Sequence, residues 1–261
     1  MSSFKAKVHR GPIARSSWST RLGAALSIDG IPVRTVAPRE LLGPLTALEQ
    51  KYAPSRLFIA GKFRLPLLHP RVAIVGTREP TDEGRMAATT VSGALAESGV
   101  TIVSGLARGV DTAVHTAAME AEGYTVAVLG TPLSRVNPRS NAELQRRIMT
   151  DHLAVSQFAE NEAILPANFV TRNRTMALIA DASVIIESGE TGGSLSQGWE
   201  TLRLGRPLFI QDREFRKSTL TWPQKMARYG AIRFREPSDI LEFLPSAVPS
   251  PESSVLALEA A

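Results

Sequence analysis

The stretch VTIVSGLARGVDTAVHTAAMEAEGYTVAVLG, residues 100–130, decides the fold class. It begins and ends with short apolar runs, at 100–105 and 124–130, which are typical of strands buried on both faces. Between them, residues 110–123 carry apolar side chains at helical spacing and end at a glycine. A strand–helix–strand unit of this length predicts two parallel strands joined by a crossover helix.

The same alternation continues on both sides of this unit. Further strands are predicted at 71–76, 153–158, 184–186 and 206–210, and further helices at 82–98, 140–151 and 192–205. Because short strands and helices alternate along the chain, we predict an α/β fold with a doubly wound, mostly parallel sheet.

The chain divides into three predicted regions. These are a small, partly helical N-terminal extension (1–53), a main α/β domain (54–244) and a flexible tail (245–261). Within the extension, residues 39–53 have the pattern of a short helix interrupted near Gly43 and Pro44.

The amino-acid composition excludes several classes of protein and is compatible with others. The 261 residues are 43% hydrophobic and include no cysteine, which excludes disulfides and thiol chemistry. No apolar run is long enough for a transmembrane helix, and the N-terminus does not resemble a signal peptide, so a cytoplasmic protein is expected. The net charge is +5, and 24 of the 30 basic residues are arginine, whose planar fork suits phosphate. A polyanionic partner is compatible with this balance, although a genome that favours arginine codons would produce the same bias.

Polar and glycine-rich segments follow several predicted strands, at the edge where open α/β sheets bind ligands. After the strand at 71–76, Gly76 permits a sharp turn, Thr77 and the following amides face a possible anion, and Arg78 offers a guanidinium. An ordinary tight turn would also explain Gly76 alone. The segment is neither a dinucleotide fingerprint nor a P-loop.

A second such segment, residues 104–111, leads into the helix of the opening stretch. Ser104, Gly105 and Gly109 lie near the helix N-terminus, where free amides suit phosphate. Asp111 is expected to cap this helix, and His115 shares its face and is expected to pack against it. One histidine and one aspartate are too few for a metal site, so neither a metal nor a cofactor is expected.

A third segment, GGSLS at 192–196, begins another predicted helix. Like the segment at 104–111, it is expected to bind an anion at the helix N-terminus, through Gly193 and Ser194. Glu187 and Glu200 are the nearest carboxylates. They could form an acid–base pair. Alternatively, Glu187 pairs with an arginine of the segment at 171–174, and Glu200 is a helix-surface residue.

Arg172 and Arg174 are expected at the front of a helix, where the backbone already carries partial positive charge. A bound anion would explain two guanidinium groups there. Phe169, three residues earlier, could stack on a base of single-stranded nucleic acid or pack into the core. The arginines and glycine turns together predict a phosphate pocket on one edge of the sheet.

The order of these motifs resembles the DNA-processing protein A (DprA, also called Smf) family. The resemblance rests on VAIVGTREPTDEG, IVSGLARGVDTAVH, NFVTRNRTMALIADASVIIE and GGSLSQGWETLRLG, and it covers residues 54–244. It implies an extended Rossmann-like domain that binds single-stranded DNA, forms a homodimer and loads the RecA recombinase during natural transformation. Many members carry a C-terminal winged helix, and none is expected in residues 245–261.

The resemblance also implies roles for individual residues. Backbone phosphates would be held by Arg78, Arg172, Asn173 and Arg174, and Phe169 would stack on a base. The pocket would be shaped by Gly76, Thr77, Ser104, Gly105, Gly109, Gly193 and Ser194.

Two functions remain open from the sequence. The first is a non-catalytic single-stranded DNA-binding protein. The second is a nucleotide-binding enzyme of the LOG phosphoribohydrolase type. Residues 191–200 of this chain, TGGSLSQGWE, resemble the glycine-rich motif of those enzymes. In that case Arg172 and Glu200 are the catalytic candidates.

Overall fold

The computed structural model describes residues 27–244, which form one mixed sheet with helices on both faces. The strands are β1 (Ser27–Ile28), β2 (Ile31–Val36), β3 (Leu57–Gly61), β4 (Arg71–Val75), β5 (Thr101–Ser104), β6 (Thr125–Leu129), β7 (Leu153–Ser156), β8 (Ala182–Ile185), β9 (Leu208–Gln211) and β10 (Ile232–Phe234). The predicted tail and residues 1–26 of the predicted extension lie outside this range.

Ten helices connect these strands within the described range, together with a 3-10 turn at Arg139–Asn141. They are α1 (Pro38–Leu42), α2 (Ala47–Tyr52), α3 (Asp82–Glu97), α4 (Val110–Glu120), α5 (Ala142–Asp151), α6 (Pro166–Ile179), α7 (Gly193–Arg203), α8 (Asp212–Arg216), α9 (Trp222–Ala227) and α10 (Pro237–Leu241). No helix among residues 27–244 has both the length and the apolar character needed to cross a membrane.

The strand order is β1-β2-β3-β7-β6-β5-β4-β8-β9-β10. All neighbours from β7 to β10 pair in parallel, whereas β1, β2 and β3 form an antiparallel meander whose last strand pairs antiparallel with β7. The doubly wound, mostly parallel sheet predicted from the sequence is therefore confirmed. The sheet is larger than predicted, because the meander and β10 were not expected as strands.

Alternate residues of the central strands face two separate layers of helices. Val72 and Ile74 of β4 pack with α3, α4 and α10 on one face, and Ala73 and Val75 pack with α6, α7 and α9 on the other. Every residue of β4, β5, β6 and β8 is buried, as their continuous apolar runs require.

Residues 27–53 contact the rest of the fold through backbone pairing in the sheet and through side chains packed in the core. The interrupted helix predicted at 39–53 is confirmed as α1 and α2, and α1 ends at Gly43, whose φ of 85° favours glycine. Leu41 and Leu42 pack into the same core cluster as the central strands. The division at residue 53 remains a prediction, although β2 pairs with β3 across it.

The two windings of the sheet diverge between β4 and β8. From β4 the chain proceeds to β5, β6 and β7 on one side, while β8, β9 and β10 occupy the other. Crossover helices leave the carboxyl ends of β4 and β8 in opposite directions, which opens a crevice between them. This topological switch point sets the position of the candidate site.

Candidate functional site

A cleft of about 390 Å³ opens at the carboxyl ends of β4 and β8. Four segments line it: residues 75–79 after β4, Ala107 and Asp111 at the start of α4, the face of α6 between Phe169 and Met176, and the loop from Ser188 to Ser194 before α7. Eight of the twelve residues predicted for the DNA site are among its walls: Gly76, Thr77, Arg78, Phe169, Arg172, Asn173, Gly193 and Ser194.

The turn after β4 brings Arg78 to the rim of the cleft. Gly76 is required there, because an added Cβ would lie 2.5 Å from Cγ2 of Val110. The amide of Thr77 donates to the Glu187 carbonyl at 2.7 Å, so it is not available to an anion as the sequence had led us to expect. Arg78 is exposed, and its side chain has no hydrogen-bond or ion-pair partner among residues 27–244.

Arg172 forms the positively charged floor of the cleft. Its Nη1 donates to the carbonyls of Gly105 and Val128, both at 2.6 Å, and its Nε donates to Oδ1 of Asn173 at 3.1 Å. The side chain is only 7% exposed, and burial lowers the pKa of its guanidinium. Arg78 lies close enough to lower this pKa further by charge repulsion. Two guanidinium groups therefore raise the local positive potential.

Two carboxylates oppose this charge. Asp111 is buried at the base of the cleft, where burial raises the pKa of its carboxyl and the Arg172 charge lowers it. Glu79 is exposed at the rim. Asp111 was expected to cap α4, but Gly109 occupies the N-cap position and Asp111 instead accepts from the Ala107 amide at 3.2 Å.

The wall opposite Arg78 is the N-terminus of α7. Gly192, with φ of 154°, occupies the N-cap position, and no side chain caps the helix. The first amides of a helix have no intrahelical acceptor, and Gly193 and Ser194 of the first turn of α7 line the cleft. Nδ2 of Asn173 donates to the Gly193 carbonyl at 2.9 Å, and the hydroxyls of Ser188 and Ser194 are 2.7 Å apart. The Asn173 bond holds the start of α7 against α6, and the contact between the two serines joins the ends of the loop that precedes it.

Phe169 forms an apolar side wall. Its ring is half-buried and lies against Gly130, where an added Cβ would approach Cδ1 to 2.6 Å. The neighbouring Val170 is 54% exposed. The cleft thus combines a guanidinium at its rim with a partly accessible aromatic ring.

Four predicted residues do not line the cleft. Ser104 is buried and donates to the Ile74 carbonyl at 2.7 Å, and Gly105 lies beneath the Arg172 guanidinium. Gly109 packs its backbone against that of Thr77 and Arg78 from outside. These three support the walls without forming them.

Arg174, the fourth, points away from the cleft. Its Nε lies 3.4 Å from Oε2 of Glu200, and its guanidinium lies over the ring of Tyr52 at 5.5 Å. The helix begins at Pro166, so Arg172 lies in its second turn and Arg174 in its third, and neither is at its front. The helix-dipole argument for a bound anion is therefore wrong at these arginines, and the anion site at the start of α7 stays a prediction.

Glu187 and Glu200 do not form an acid–base pair in the cleft. Glu187 accepts from the amide and hydroxyl of Thr81, both at 3.0 Å, and pairs with Lys217 at 3.4 Å, not with Arg172 or Arg174. Glu200 lies six residues after Ser194, about 9 Å along α7, and pairs with Arg203 at 2.7 Å.

Sequence reasoning missed part of the site. It identified the segment 187–196 but not Ser188, Thr191 or Gly192 within it, and it did not place Asp111 or Val170 at the cleft. The run Gly-Glu-Thr-Gly-Gly was a turn signal from which the uncapped start of α7 could have been inferred. His115 bonds to Thr125 at 2.7 Å and not to Asp111.

Comparison with known proteins places this geometry in a family. Residues 39–245 match the family of the DNA recombination-mediator protein A. DNA processing protein DprA of Streptococcus pneumoniae is 38% identical over 157 residues, which cover 60% of this chain and 55% of that protein. The chain thus spans about half the length of this curated relative.

Two solved structures share the fold. The X-ray structure of DprA from Streptococcus pneumoniae superimposes with a TM-score of 0.69 at 29% identity, covering 81% of this chain and 74% of that one. The structure of DprA from Helicobacter pylori, a protein with a described single-stranded DNA binding mode, has a TM-score of 0.69 at 23% identity. It covers 80% of this chain and 94% of that one. The extended Rossmann-like fold implied by the resemblance is confirmed.

Proposed function

Because the chain belongs to the DNA recombination-mediator protein A family, we propose that it binds single-stranded DNA through this cleft without catalysing a reaction. Its role is to hold the strand during DNA processing or recombinase loading. A RecA-type recombinase and a second copy of the chain are the proposed protein partners, in the cytoplasm, and the family resemblance supports both.

One observation carries this proposal: the cleft presents donors that lack acceptors. Arg78 has no partner for its side chain among the described residues, and the first turn of α7 has no side-chain cap. A phosphate placed between them would accept from both the guanidinium and the helix amides. Since Glu79 is the exposed acid at this rim, its removal should strengthen phosphate binding.

The apolar wall favours a single strand over a duplex. Phe169 is half-buried and so offers part of its ring, next to the exposed Val170, to a flat apolar group. The bases of a duplex are stacked on one another, whereas those of a single strand are free to stack on an aromatic ring. Phosphate donors beside such a ring are what a single strand requires.

The geometry around Arg172 and Glu200 favours binding over catalysis. Glu200, the candidate acid or base, pairs with Arg203 and Arg174 away from the cleft. Nη1 of Arg172 is engaged by two backbone carbonyls. The two groups are therefore not arranged to act on one substrate, and the phosphoribohydrolase alternative is not favoured.

The test is a fluorescence-anisotropy titration with single- and double-stranded oligonucleotides at two salt concentrations. Each phosphate contact to a single strand contributes about 0.7 to the slope of log K against log salt. We expect Arg78→Ala to lower this slope by about 0.7, and Phe169→Leu to weaken binding with little change in slope.

Arg147→Ala is the matched control, because Arg147 is exposed on α5 and does not line the cleft. It should bind like the unchanged protein. Absence of single-strand binding at low salt, or equal effects of the Arg78 and Arg147 substitutions, would contradict the proposed function.

A further inference from the structure

A second groove lies beside the cleft, between helices α3 and α4. It has a volume of about 400 Å³, and its walls include Arg85, Thr89, Arg108, Thr112 and Glu120. The side chain of Asn141 donates to Oγ1 of Thr112 and to the Leu106 carbonyl, both at 2.9 Å, and so fixes one side of the groove. The groove is a built surface, separate from the residues that line the cleft.

The positive charge of this groove is not neutralised within the described part of the chain. Many arginines of the fold bind carboxylates or carbonyls, as Arg71 does with Asp181 and Arg206 does with three carbonyls of α6 and its C-terminus. The exposed side chains of Arg85 and Arg108 have no hydrogen-bond or ion-pair partner among residues 27–244. Two unpaired guanidinium groups on one groove favour an anionic ligand.

Both arginines lie at the same edge of the sheet as the cleft. Strands β4 and β5 are parallel, so the helices that follow them both begin at the carboxyl edge. Arg85 is in the first turns of α3, which begins at Asp82, and Arg108 directly precedes Gly109, the N-cap of α4. The basic end of the groove therefore faces the mouth of the cleft.

The cleft and the groove share one rim. Ala107 lines the cleft, whereas the next two residues, Arg108 and Gly109, line the groove. Gly109 is in direct contact with the turn that carries Arg78, since an added Cβ would lie 2.6 Å from the Arg78 carbonyl. A chain of phosphates leaving Arg78 along this rim would enter the groove that Arg108 and Arg85 line.

Charge also limits how far a polyanion would follow the groove. Glu120 lies at the C-terminal end of α4 and places negative charge at the far end. Glu83, an acid in the same turn of α3 as Arg85, lines a different surface, with Arg213 and Arg235. The basic segment is therefore confined to the rim side, with the hydroxyls of Thr89 and Thr112 beside it.

We infer that this groove is a second phosphate-binding segment, which takes the nucleotides of a single strand immediately outside the cleft. The inference rests on the proposed function, because it assigns the path of the same DNA. It predicts that a longer oligonucleotide binds more tightly than a short one, and that Arg85 and Arg108 are responsible for the difference in affinity.

The test compares thymidine oligomers of about 4 and about 20 nucleotides, which fill the cleft alone or extend past it. The protein is the full chain carrying Arg85→Ala and Arg108→Ala together. Loss of two single-strand phosphate contacts lowers the salt slope by about 1.4, which corresponds to roughly 25-fold weaker binding at 0.1 M salt if the contacts contribute nothing at 1 M. We expect this loss with the long oligomer and less than about a twofold change with the short one.

The matched control is the double substitution Arg147→Ala and Arg228→Ala, which removes two exposed charges, one on α5 and one at the C-cap of α9, that line neither surface. It should reproduce the binding of the unchanged protein at both lengths. Unaltered binding of the long oligomer by the Arg85/Arg108 variant would overturn the inference while the proposed function stood, as would an equal loss at both lengths. If the unchanged protein bound neither oligomer, the proposed function itself would fail.

Discussion

Replacing Arg172 with methionine separates its structural role from its role in the cleft. Methionine fills a similar volume but donates no hydrogen bond. The substitution leaves the carbonyls of Gly105 and Val128 without their donor, and it removes the positive charge that acts on the buried Asp111. We therefore expect a large loss of stability in addition to any loss of binding.

The structure sets the size of this loss. Breaking a buried charged interaction by removing one partner costs about 3–5 kcal/mol. For a domain of this size, 1 kcal/mol corresponds to about 2–4 °C in Tm, so the midpoint should fall by roughly 6–20 °C. Arg174→Met is the matched control on the same helix. Because Arg174 is 43% exposed on its side chain and makes a partly screened salt bridge, it should cost less than about 1 kcal/mol.

The pH dependence of the loss tests its cause. Burial already raises the pKa of the Asp111 carboxyl, and Arg172 lowers it, so the pKa rises further in Arg172→Met. When the pKa of an acid is higher in the folded than in the unfolded protein, its contribution to stability is fully present below the unfolded-state pKa. That contribution is lost as the pH rises through the folded-state pKa. The variant should therefore be more strongly destabilised at pH 7 than at about pH 4.5.

The assay is urea denaturation of both methionine variants at the two pH values, with the same experiment on Arg172→Met combined with Asp111→Asn. The asparagine removes the carboxylate and should restore part of the lost stability at pH 7. A loss no larger than that of Arg174→Met, or a double variant that shows no recovery at pH 7, would refute this account of Arg172.

Two further predictions concern His115 in α4 and Gly109, the N-cap residue of that helix. Burial lowers the pKa of His115 to about 3, from 6.5, so its contribution to stability is present above pH 6.5 and is lost as pH falls toward 3. Lowering the pH from 6.5 to 4.5 should therefore reduce the free energy of unfolding by about 2 kcal/mol through His115. In His115→Asn, urea denaturation should show a free energy of unfolding that depends less on pH over this range. The same pH dependence in both proteins would contradict this role of His115. Gly109→Ala should cost at least about 2 kcal/mol, because φ is 79° and the new Cβ would lie 2.5 Å from the Thr77 carbonyl oxygen. Gly93→Ala, whose Cβ meets nothing within 4 Å, should instead stabilise α3 by about 0.5–1 kcal/mol, and equal effects in thermal denaturation would refute the steric argument.

The central strands and helices were predictable because each carries a strong local signal. The strands at 71–76 and 124–130 are continuous apolar runs, and burial on both faces of the sheet leaves no other composition available to them. The helix predicted at 82–98 is observed as Asp82–Glu97 and is followed by Gly99 at φ of 78°. In these elements local preference and tertiary environment agree.

The edge strands could not be predicted, because they lack a strong local signal in the sequence. β2 contains Pro32 and Arg34, and three of its six residues are exposed, so its sequence lacks the apolar run that identifies a buried strand. β10 has three residues, too few to establish a period of two. Their pairing depends on partners distant in sequence, β3 and β9, which a local pattern does not reveal.

The contrast between Arg172 and Arg174 shows why a motif alone does not define a site. Residues two apart on a helix point about 200° from each other, so only one of the two arginines can face the sheet edge. Arg172 takes that direction because Gly105 leaves room for a guanidinium that a Cβ would meet at 2.1 Å. Arg174 consequently faces Tyr52 and Glu200. The proposed phosphate contact therefore needs a guanidinium from outside the motif, and Arg78, unpaired at the rim among the described residues, provides one.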